Sequence, residues 1–407
     1  MEPSTVIQGA TSRLYPTKAQ AEKIEQWSGA CRFVWNRLLE RQEKSYKTEG
    51  KFLWRADLQK AVVDIKHTEG FEWLNEVPAH SLLQVCANMD KAFRRFVAAR
   101  KEGRKCGFPK TKKKFVREAG VYCVNQTTAY LGNNRVKLPK LGVVKCRGWR
   151  ENDGKLLGGT ITRRSGGGWL LSVQHVSPAP KYVEPVVEMI GVDLGIKNLA
   201  TVYDGCSIST IANKRPLKGA MRALRRSHRA MSRRKKGGAN RKKAAIKLAT
   251  IHRKVSDIRK DAIHQLTHAL TAKAEVIKVE DLNVKGLQRG IHSRAISDVG
   301  MGAVLRQITY KAAWRRRTVV CVDRFFPSSQ TCSGCGTIHK EMKKMLPMLK
   351  CKCGTVLDRD SNAAINLFWY GEERRNRTVH RATPTETGDQ ADILPVPVVE
   401  VGMPTLV

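Results

Sequence analysis

Between Ile211 and Thr250 the chain carries 15 Lys and Arg residues and no Asp or Glu. A stretch charged in this way cannot be folded inward, because burying unpaired cations costs more than packing returns. It must lie on a surface with something anionic against it. Alone, it could be a basic helix of the ribosomal kind or a localisation-like patch. Strand-like segments stand on both sides, however: Val187-Glu-Met-Ile-Gly-Val-Asp-Leu-Gly before it and Ala274-Glu-Val-Ile-Lys-Val-Glu after it. Helical spacing also continues through Ile251, Val255, Ile258, Ile263, Leu266 and Leu270. The run therefore reads as a helical hairpin held inside a domain and pressed on a nucleic-acid backbone.

The rest of the chain repeats this bias. Lys and Arg total 75 against 36 Asp and Glu, a formal charge of +39 over 407 residues. Such a surplus repels itself unless a polyanion neutralises it, which makes nucleic acid the expected partner. With 41% hydrophobic residues and a mean hydropathy of −0.40, the chain can bury real cores and is not a disordered basic tail. Its length suggests two or three domains. No run of roughly 18 apolar residues and no charged-then-apolar leader appear, so a reducing cytoplasm is expected rather than a membrane or secretory route.

Apolar residues at Ile24, Trp27, Cys31, Val34, Trp35, Leu38 and Leu39 predict an amphipathic helix within 17–46, and Leu82, Val85, Met89, Ala92 and Phe93 predict another within 81–99. Lys101 to Lys114, broken by Gly103, Gly107 and Pro109, reads as a basic loop on phosphate. From about Val121 to Val183, β-branched runs alternate with Gly and Asn turns, as in short antiparallel strands of a small barrel, which Thr11-Ser-Arg-Leu-Tyr-Pro could join. Residues 187–204 read as strand, turn, strand. Ala274–Glu280, a helix over Gly302–Arg315 and the strand Thr318-Val-Val-Cys-Val complete an α/β pattern. The Pro-, Thr- and Val-rich residues 371–407 are expected to be disordered.

Three acids stand where a strand-borne metal site needs them. Asp193 lies in an apolar strand, Glu280 ends another, and Asp360 opens the helical run Ser361-Asn-Ala-Ala-Ile-Asn-Leu. Converging, they could hold two Mg²⁺ ions and hydrolyse a phosphodiester. Taken singly, each has an ordinary use: a turn acid, a salt-bridge partner and a helix N-cap. Cys332-Ser-Gly-Cys335 and Cys351-Lys-Cys353 have near-zinc spacing, one residue short in the second pair. Four thiolates would close the coordination shell around one structural Zn²⁺, whereas reduced structural cysteines are the alternative. The other seven, Cys31, Cys86, Cys106, Cys123, Cys146, Cys206 and Cys321, are scattered. No phosphate-binding Gly-rich loop or Ser-His-Asp order is visible.

Gly191-Val-Asp-Leu-Gly-Ile-Lys-Asn-Leu-Ala, Val279-Glu-Asp-Leu-Asn, Phe326-Pro-Ser-Ser-Gln-Thr-Cys-Ser-Gly-Cys-Gly and Asp358-Arg-Asp-Ser-Asn-Ala-Ala-Ile-Asn-Leu resemble the TnpB (OrfB) proteins of bacterial insertion sequences. Leu14-Tyr-Pro-Thr, Gly29-Ala-Cys-Arg-Phe-Val-Trp-Asn and Phe108-Pro-Lys fit the same family, and the likeness spans roughly 10–370 in order. It departs at Cys351-Lys-Cys353, where many members have two intervening residues.

The resemblance implies an RNA-guided DNA endonuclease, similar to the ancestors of type V CRISPR effectors. Such a protein binds a transposon-end-derived guide RNA, recognises a short target-adjacent motif in double-stranded DNA, and cuts with Mg²⁺ at one RuvC-like site. Asp193, Glu280 and Asp360 are then the motif acids, with Asp358 the only rival for the third. The alternatives are a guide-dependent repressor that never cuts, or a transposase accessory protein.

The implied architecture is α/β and multidomain. Strand 1–16 and residues 121–185 form a wedge β-barrel, with a helical recognition module inserted at 17–120. An RNase H-like RuvC domain at 186–325 carries the hairpin at about 211–270, a zinc-binding insertion follows at 326–356, and 357–370 returns to the RuvC domain. The protein is expected to work as a monomer in its ribonucleoprotein. Backbone contacts are expected from Arg222, Arg225, Arg226, Arg233, Arg234, Lys235, Lys236, Arg241, Lys242 and Lys243, and from Lys112 and Lys113. His80, Ser81, Gln84 and Asn125 are candidates for reading the target-adjacent motif. Trp54, Trp73 and Trp169 could stack on bases, with core packing the alternative.

Overall fold

Thr17 starts the first helix by closing a capping box: its hydroxyl accepts the Gln20 N–H while the Gln20 side chain accepts the Thr17 N–H. In the computed structural model, which describes residues 5–113, 121–124, 128–149, 154–164, 166–179, 182–340 and 348–372, a strand β1 (Thr5–Tyr15) leads into that helix, α1 (Lys18–Glu49). Its buried positions are the seven apolar ones named above together with Ser28, Ala30 and Gln42. Helices α2 (Arg55–His67) and α3 (Ala79–Lys101) follow, and α1, α2 and α3 pack on one another through Leu58, Leu74, Met89 and Phe93.

Six further strands complete this unit: β2 (Val121–Val124), β3 (Ala129–Tyr130), β4 (Arg135–Leu138), β5 (Gly142–Arg147), β6 (Lys155–Arg163) and β7 (Trp169–Pro178). They join β1 in one antiparallel sheet ordered β2-β6-β7-β1-β5-β4-β3. β1 thus sits centrally between strands that follow the helices, and is longer than the segment recognised in the sequence. Among the described residues no pairing joins the two edge strands, β2 and β3. The unit ends at Pro178, and a second begins at Ala179.

In the second unit β8 (Val187–Asp193), β9 (Asn198–Tyr203) and β10 (Ile208–Ala212) form an antiparallel meander. Helices α4 (Pro216–Ser232) and α5 (Ala239–Lys273) pack on each other and return the chain to β11 (Ala274–Glu280), which lies parallel to β8. Two short helices, α6 (Val284–Leu287) and α7 (Ser293–Val299), precede α8 (Met301–Trp314) and β12 (Thr318–Val322), which adds in parallel beyond β11.

The sheet order is β10-β9-β8-β11-β12. Central strands are covered on both faces, which explains the runs around Ile190 and Val192 and around Ile277 and Val279. A hairpin of β13 (Met348–Lys350) and β14 (Val356–Asp358) feeds into α9 (Arg359–Phe368). Among the described residues no helix is long and apolar enough to cross a membrane. Residues 373–407, the bulk of the expected tail, lie outside the described residues.

Candidate active site and metal centre

Val192 of β8 stands opposite Val279 of the parallel β11. The next residue on each strand is an acid, so Asp193 and Glu280 lie level at the strands' carboxyl ends, with backbones about 5 Å apart. Such ends are where sheets of this kind present ligands. The third acid comes from α9, which lies directly on β8 because Gly191 has no side chain. A Cβ there would collide with the backbone of Ala364 and Phe368. The first turn of α9 is thereby held over the strand ends, and the Cβ position of Gly195 is 3.7 Å from Asp360 Oδ2.

Electrostatics tie the three together. Burial, then the negative charges of Glu280 and Asp360, push the Asp193 carboxyl up to about 8. Asp360 is raised too, by burial and by Asp358, against the lowering influence of Arg359 and Lys197. Carboxylates that repel each other in this way can all ionise only when a cation neutralises them. Their oxygens are hard donors of the kind Mg²⁺ prefers.

The N-cap of α9 is Asp358, not Asp360. Asp358 Oδ1 accepts the Asp360 N–H at 3.0 Å and the Ser361 N–H at 3.4 Å. The rival acid is therefore occupied with helix ends, and the Asp360 carboxylate is left to interact with Asp193.

A clamp that sequence reasoning did not anticipate orients Glu280. Asn366 Nδ2 donates to the carbonyls of Ser328 and Thr331 at 2.8 and 2.6 Å, and Asn362 Nδ2 donates to Thr331 O at 2.7 Å. Both amides are fully buried and one helical turn apart on α9. They fix the turn at 328–331, from which the Ser328 hydroxyl donates to Glu280 Oε1. At the far end of α9, the buried Lys278 ammonium donates to Tyr370 O at 2.7 Å and Glu372 Oε1 at 3.0 Å, tying this end to β11. The signal was present as Asn-Ala-Ala-Ile-Asn, whose amides recur at the spacing of one helix face.

The cysteines form a distinct centre. Cys332 Sγ lies 3.6 Å from Cys353 Sγ, and Cys335 Sγ 3.5 Å from Cys351 Sγ. Four sulfurs at tetrahedral zinc bond lengths would be about 3.8 Å apart, so the arrangement fits Zn²⁺ despite the shortened second pair. Two tight turns shape it, with Gly336 N–H donating to Cys332 O at 2.7 Å and Gly354 N–H to Cys351 O at 3.0 Å. Hydrogen bonds with Thr337 push the Cys335 thiol down to about 6, and hydrogen bonds with Thr355 also lower Cys353. Among the described residues this is the one group of three or more His, Cys, Asp or Glu ligand atoms lying within 4.8 Å of one another. The carboxylates are spaced more widely.

Of the basic candidates, Arg222, Arg225 and Arg226 on α4, Arg233 to Lys236 in the connecting turn, and Lys242 and Lys243 on α5 are exposed. Arg241 is used internally: its guanidinium donates to Met231 O at 2.9 Å and Arg234 O at 3.0 Å, holding the hairpin closed. Lys112 and Lys113 are both exposed, with the Lys112 ammonium 3.8 Å above the Trp35 ring and its backbone N–H donating to Asn36 Oδ1. His80 is exposed, and Gln84 bonds Asn88. Ser81 is 2% exposed, so its expected role in reading DNA is corrected: it faces the helical core. Asn125 lies outside the described residues.

Three family models match the chain. "Probable transposase" (OrfB_IS605) covers residues 171–290, the Cas12f1-like TNB domain covers 302–367, and a helix-turn-helix domain of OrfB_IS605 covers 1–51. A Streptomyces pristinaespiralis protein provisionally named RNA-guided DNA endonuclease is 30% identical over 366 residues, covering 88% of each chain. The protein InsQ of Escherichia coli K12, provisionally named in the same way, is 28% identical, covering 90% of this chain and 92% of its own.

Among solved structures, the Cas12f1–sgRNA–target DNA complex aligns with a TM-score of 0.54 at 16% identity, over 86% of this chain and 83% of that one. The mini-RNA-guided endonuclease CRISPR-Cas_phi3 aligns at 0.52 and 10% identity, over 89% and 92%. These likenesses place the fold among compact, mixed α/β nucleases of the Cas12 kind. The sequence match over 88% of both chains means that the chain belongs to the TnpB (OrfB) family.

Proposed function

We propose that this protein is an RNA-guided DNA endonuclease that cuts at a single RuvC-like site. The observation that carries this reading is the convergence of Asp193, Glu280 and Asp360, from two parallel strands and a helix, into one mutually repelling group. The antiparallel meander extended by two parallel strands is the strand order expected of an RNase H-like domain. On this reading the first unit supplies the wedge and the helical recognition module. The exposed cations of α4, its turn and α5 grip duplex or guide backbone. Sequence choice is left to base pairing and a short target-adjacent motif. The guide would derive from the transposon end, and the complex would act as a monomer in a prokaryotic cytoplasm.

Asp193, Glu280 and Asp360 would hold two Mg²⁺ ions, which when bound activate the attacking water and stabilise the leaving oxygen. Ser328 fixes one oxygen of Glu280, and Asp358 holds the start of the helix that carries Asp360. Cys332, Cys335, Cys351 and Cys353 would hold one Zn²⁺ with no open position, stiffening the hairpin that feeds α9. The test is to purify the complex, sequence the RNA it carries, and supply matching duplex DNA with Mg²⁺. Cleavage by the wild type and intact DNA with Asp193→Asn, at equal target binding, is the expected result. Intact DNA with both would favour a guide-dependent repressor.

A further inference from the structure

The turn between β8 and β9 brings a cation to the edge of the carboxylate group, and the start of α4 is distorted to hold it there. Lys197 Nζ lies 4.0 Å from Asp358 Oδ2, and its side chain is 71% exposed. A pair so long and so open contributes little to stability, and the Asp358 carboxylate is already engaged with two helix N–H groups. The backbone beneath is held with unusual care. Asn213 Nδ2 donates to Ile196 O at 2.9 Å, and the Arg215 guanidinium donates to Lys197 O at 3.2 Å. The Arg215 N–H in turn donates to Asn213 Oδ1 at 3.0 Å. Arg215 makes these contacts from φ 42° and ψ 53°, a left-handed conformation that costs a non-glycine residue about 1 kcal/mol or more. Strain of this kind persists where surrounding contacts over-determine it, and it gathers at functional sites.

We propose that Lys197 is a substrate-contacting residue whose ammonium meets the non-bridging oxygens of the scissile phosphate, and that Arg215, with Asn213, is a positioning residue that sets its turn. The inference rests on the endonuclease reading and deepens it. A phosphodiester gains negative charge as water adds, and a pre-placed cation stabilises that charge without reorganising at the moment of reaction. Lysine suits this role as a compact point charge on a flexible stem. The clamp also joins the turn to the first residues of the basic hairpin, so the same segment that meets nucleic acid holds the turn beside the acids.

The test uses the purified ribonucleoprotein and matched target, reading single-turnover cleavage, target Kd and Tm together. Lys197→Ala should slow cleavage about a hundredfold, the scale of losing one transition-state donor, with Kd within about twofold of wild type. Lys197→Arg should restore the rate to within about tenfold. Arg215→Gly removes both the strain and the guanidinium, so Tm should hold or rise while the rate falls about tenfold. In a Lys197→Ala background the same change should cost less than about twofold, since coupled residues are not additive.

An active wild type whose Lys197→Ala variant cuts at an equal rate overturns the inference alone. A fall in Tm and rate together for Arg215→Gly, unchanged by the Lys197→Ala background, overturns the positioning role. A wild type that leaves the target intact overturns the endonuclease reading and this inference with it.

Discussion

The four thiols and the three carboxylates are linked by one short stretch of chain, β14, which runs from the cysteine hairpin into α9, the helix that carries Asp360, while Asp193 and Glu280 come from β8 and β11. The two groups handle the same problem, like charges gathered in one place, in opposite ways. The thiols close to 3.5 and 3.6 Å, so that a single ion would satisfy all four and leave no vacant position. The carboxylates are held apart by separate elements, and burial, then the charges of Glu280 and Asp360, keep Asp193 raised. A closed set stiffens; an open set keeps room for a substrate. The difference lies in scaffolding rather than ligand count: two adjacent tight turns build the first group, and a three-way junction of β8, β11 and α9 builds the second.

The sharpest test of this contrast lies within α9. Asp360→Asn should reduce cleavage by at least about a thousandfold, because several kcal/mol of transition-state stabilisation depend on the charge. Asp358→Asn, two residues away, keeps a capping side chain and should cost about 1 kcal/mol of stability at most, with cleavage within several-fold of wild type. Equal losses for the two would erase the distinction drawn between them. Next in size, Cys332→Ser should lower Tm on the order of 10 °C, for about 3 kcal/mol lost in a domain of this size. Activity should fall only in proportion to the unfolded fraction, measured by calorimetry and cleavage at a series of temperatures.

A smaller effect is expected where the two groups are joined. Asn366→Ala leaves buried carbonyls without their donor, at about 1–3 kcal/mol, and lets Ser328 drift from Glu280. Cleavage should drop about tenfold more than the loss of folded protein accounts for, since misplacement of reacting groups slows chemistry by about this much or more.

The smallest is a pH effect in the metal-free chain. Folding lifts Asp193 to about 8, so the folded state binds a proton more tightly than the unfolded one. Stability from that proton is full below about pH 4 and is lost as pH rises toward 8. Asp193→Asn should therefore match the wild type in Tm near pH 4 and exceed it by a few degrees near pH 8. Adding Mg²⁺ at pH 8 should raise the wild-type Tm more than the variant's.

Much of this was readable in the residues because the relevant forces are local. Three-and-four spacing marks α1 and α3, and apolar β-branched runs mark β8 and β11, where burial on two faces leaves no other option, while the same kind of run marks β12 although it is an edge strand with only Val322 buried. The cysteine pairs announce their own geometry. What could not be read depends on contacts between distant parts of the chain. A capping acid and a site acid look alike in Asp-Arg-Asp, and only the helix start shows that Asp358 is the cap. Arg241 is indistinguishable in sequence from Lys242, yet it closes its own hairpin, while Ser81 faces inward beside the exposed His80. The left-handed backbone of Arg215 leaves no trace at all, since the residue type argues against it.

The missing side chain of Gly191 gives the molecule a fixed gauge. Because α9 rests on bare backbone there, the offset between the helix and the strand beneath it is set by main-chain thickness, which no drift elsewhere in the sequence can alter. Surface cations can be gained, lost or moved, retuning which guide or duplex is gripped, while the spacing of the chemistry stays constant. A methyl group added at this one position would reset it, making Gly191 a place where the smallest change in composition should have the longest mechanical reach.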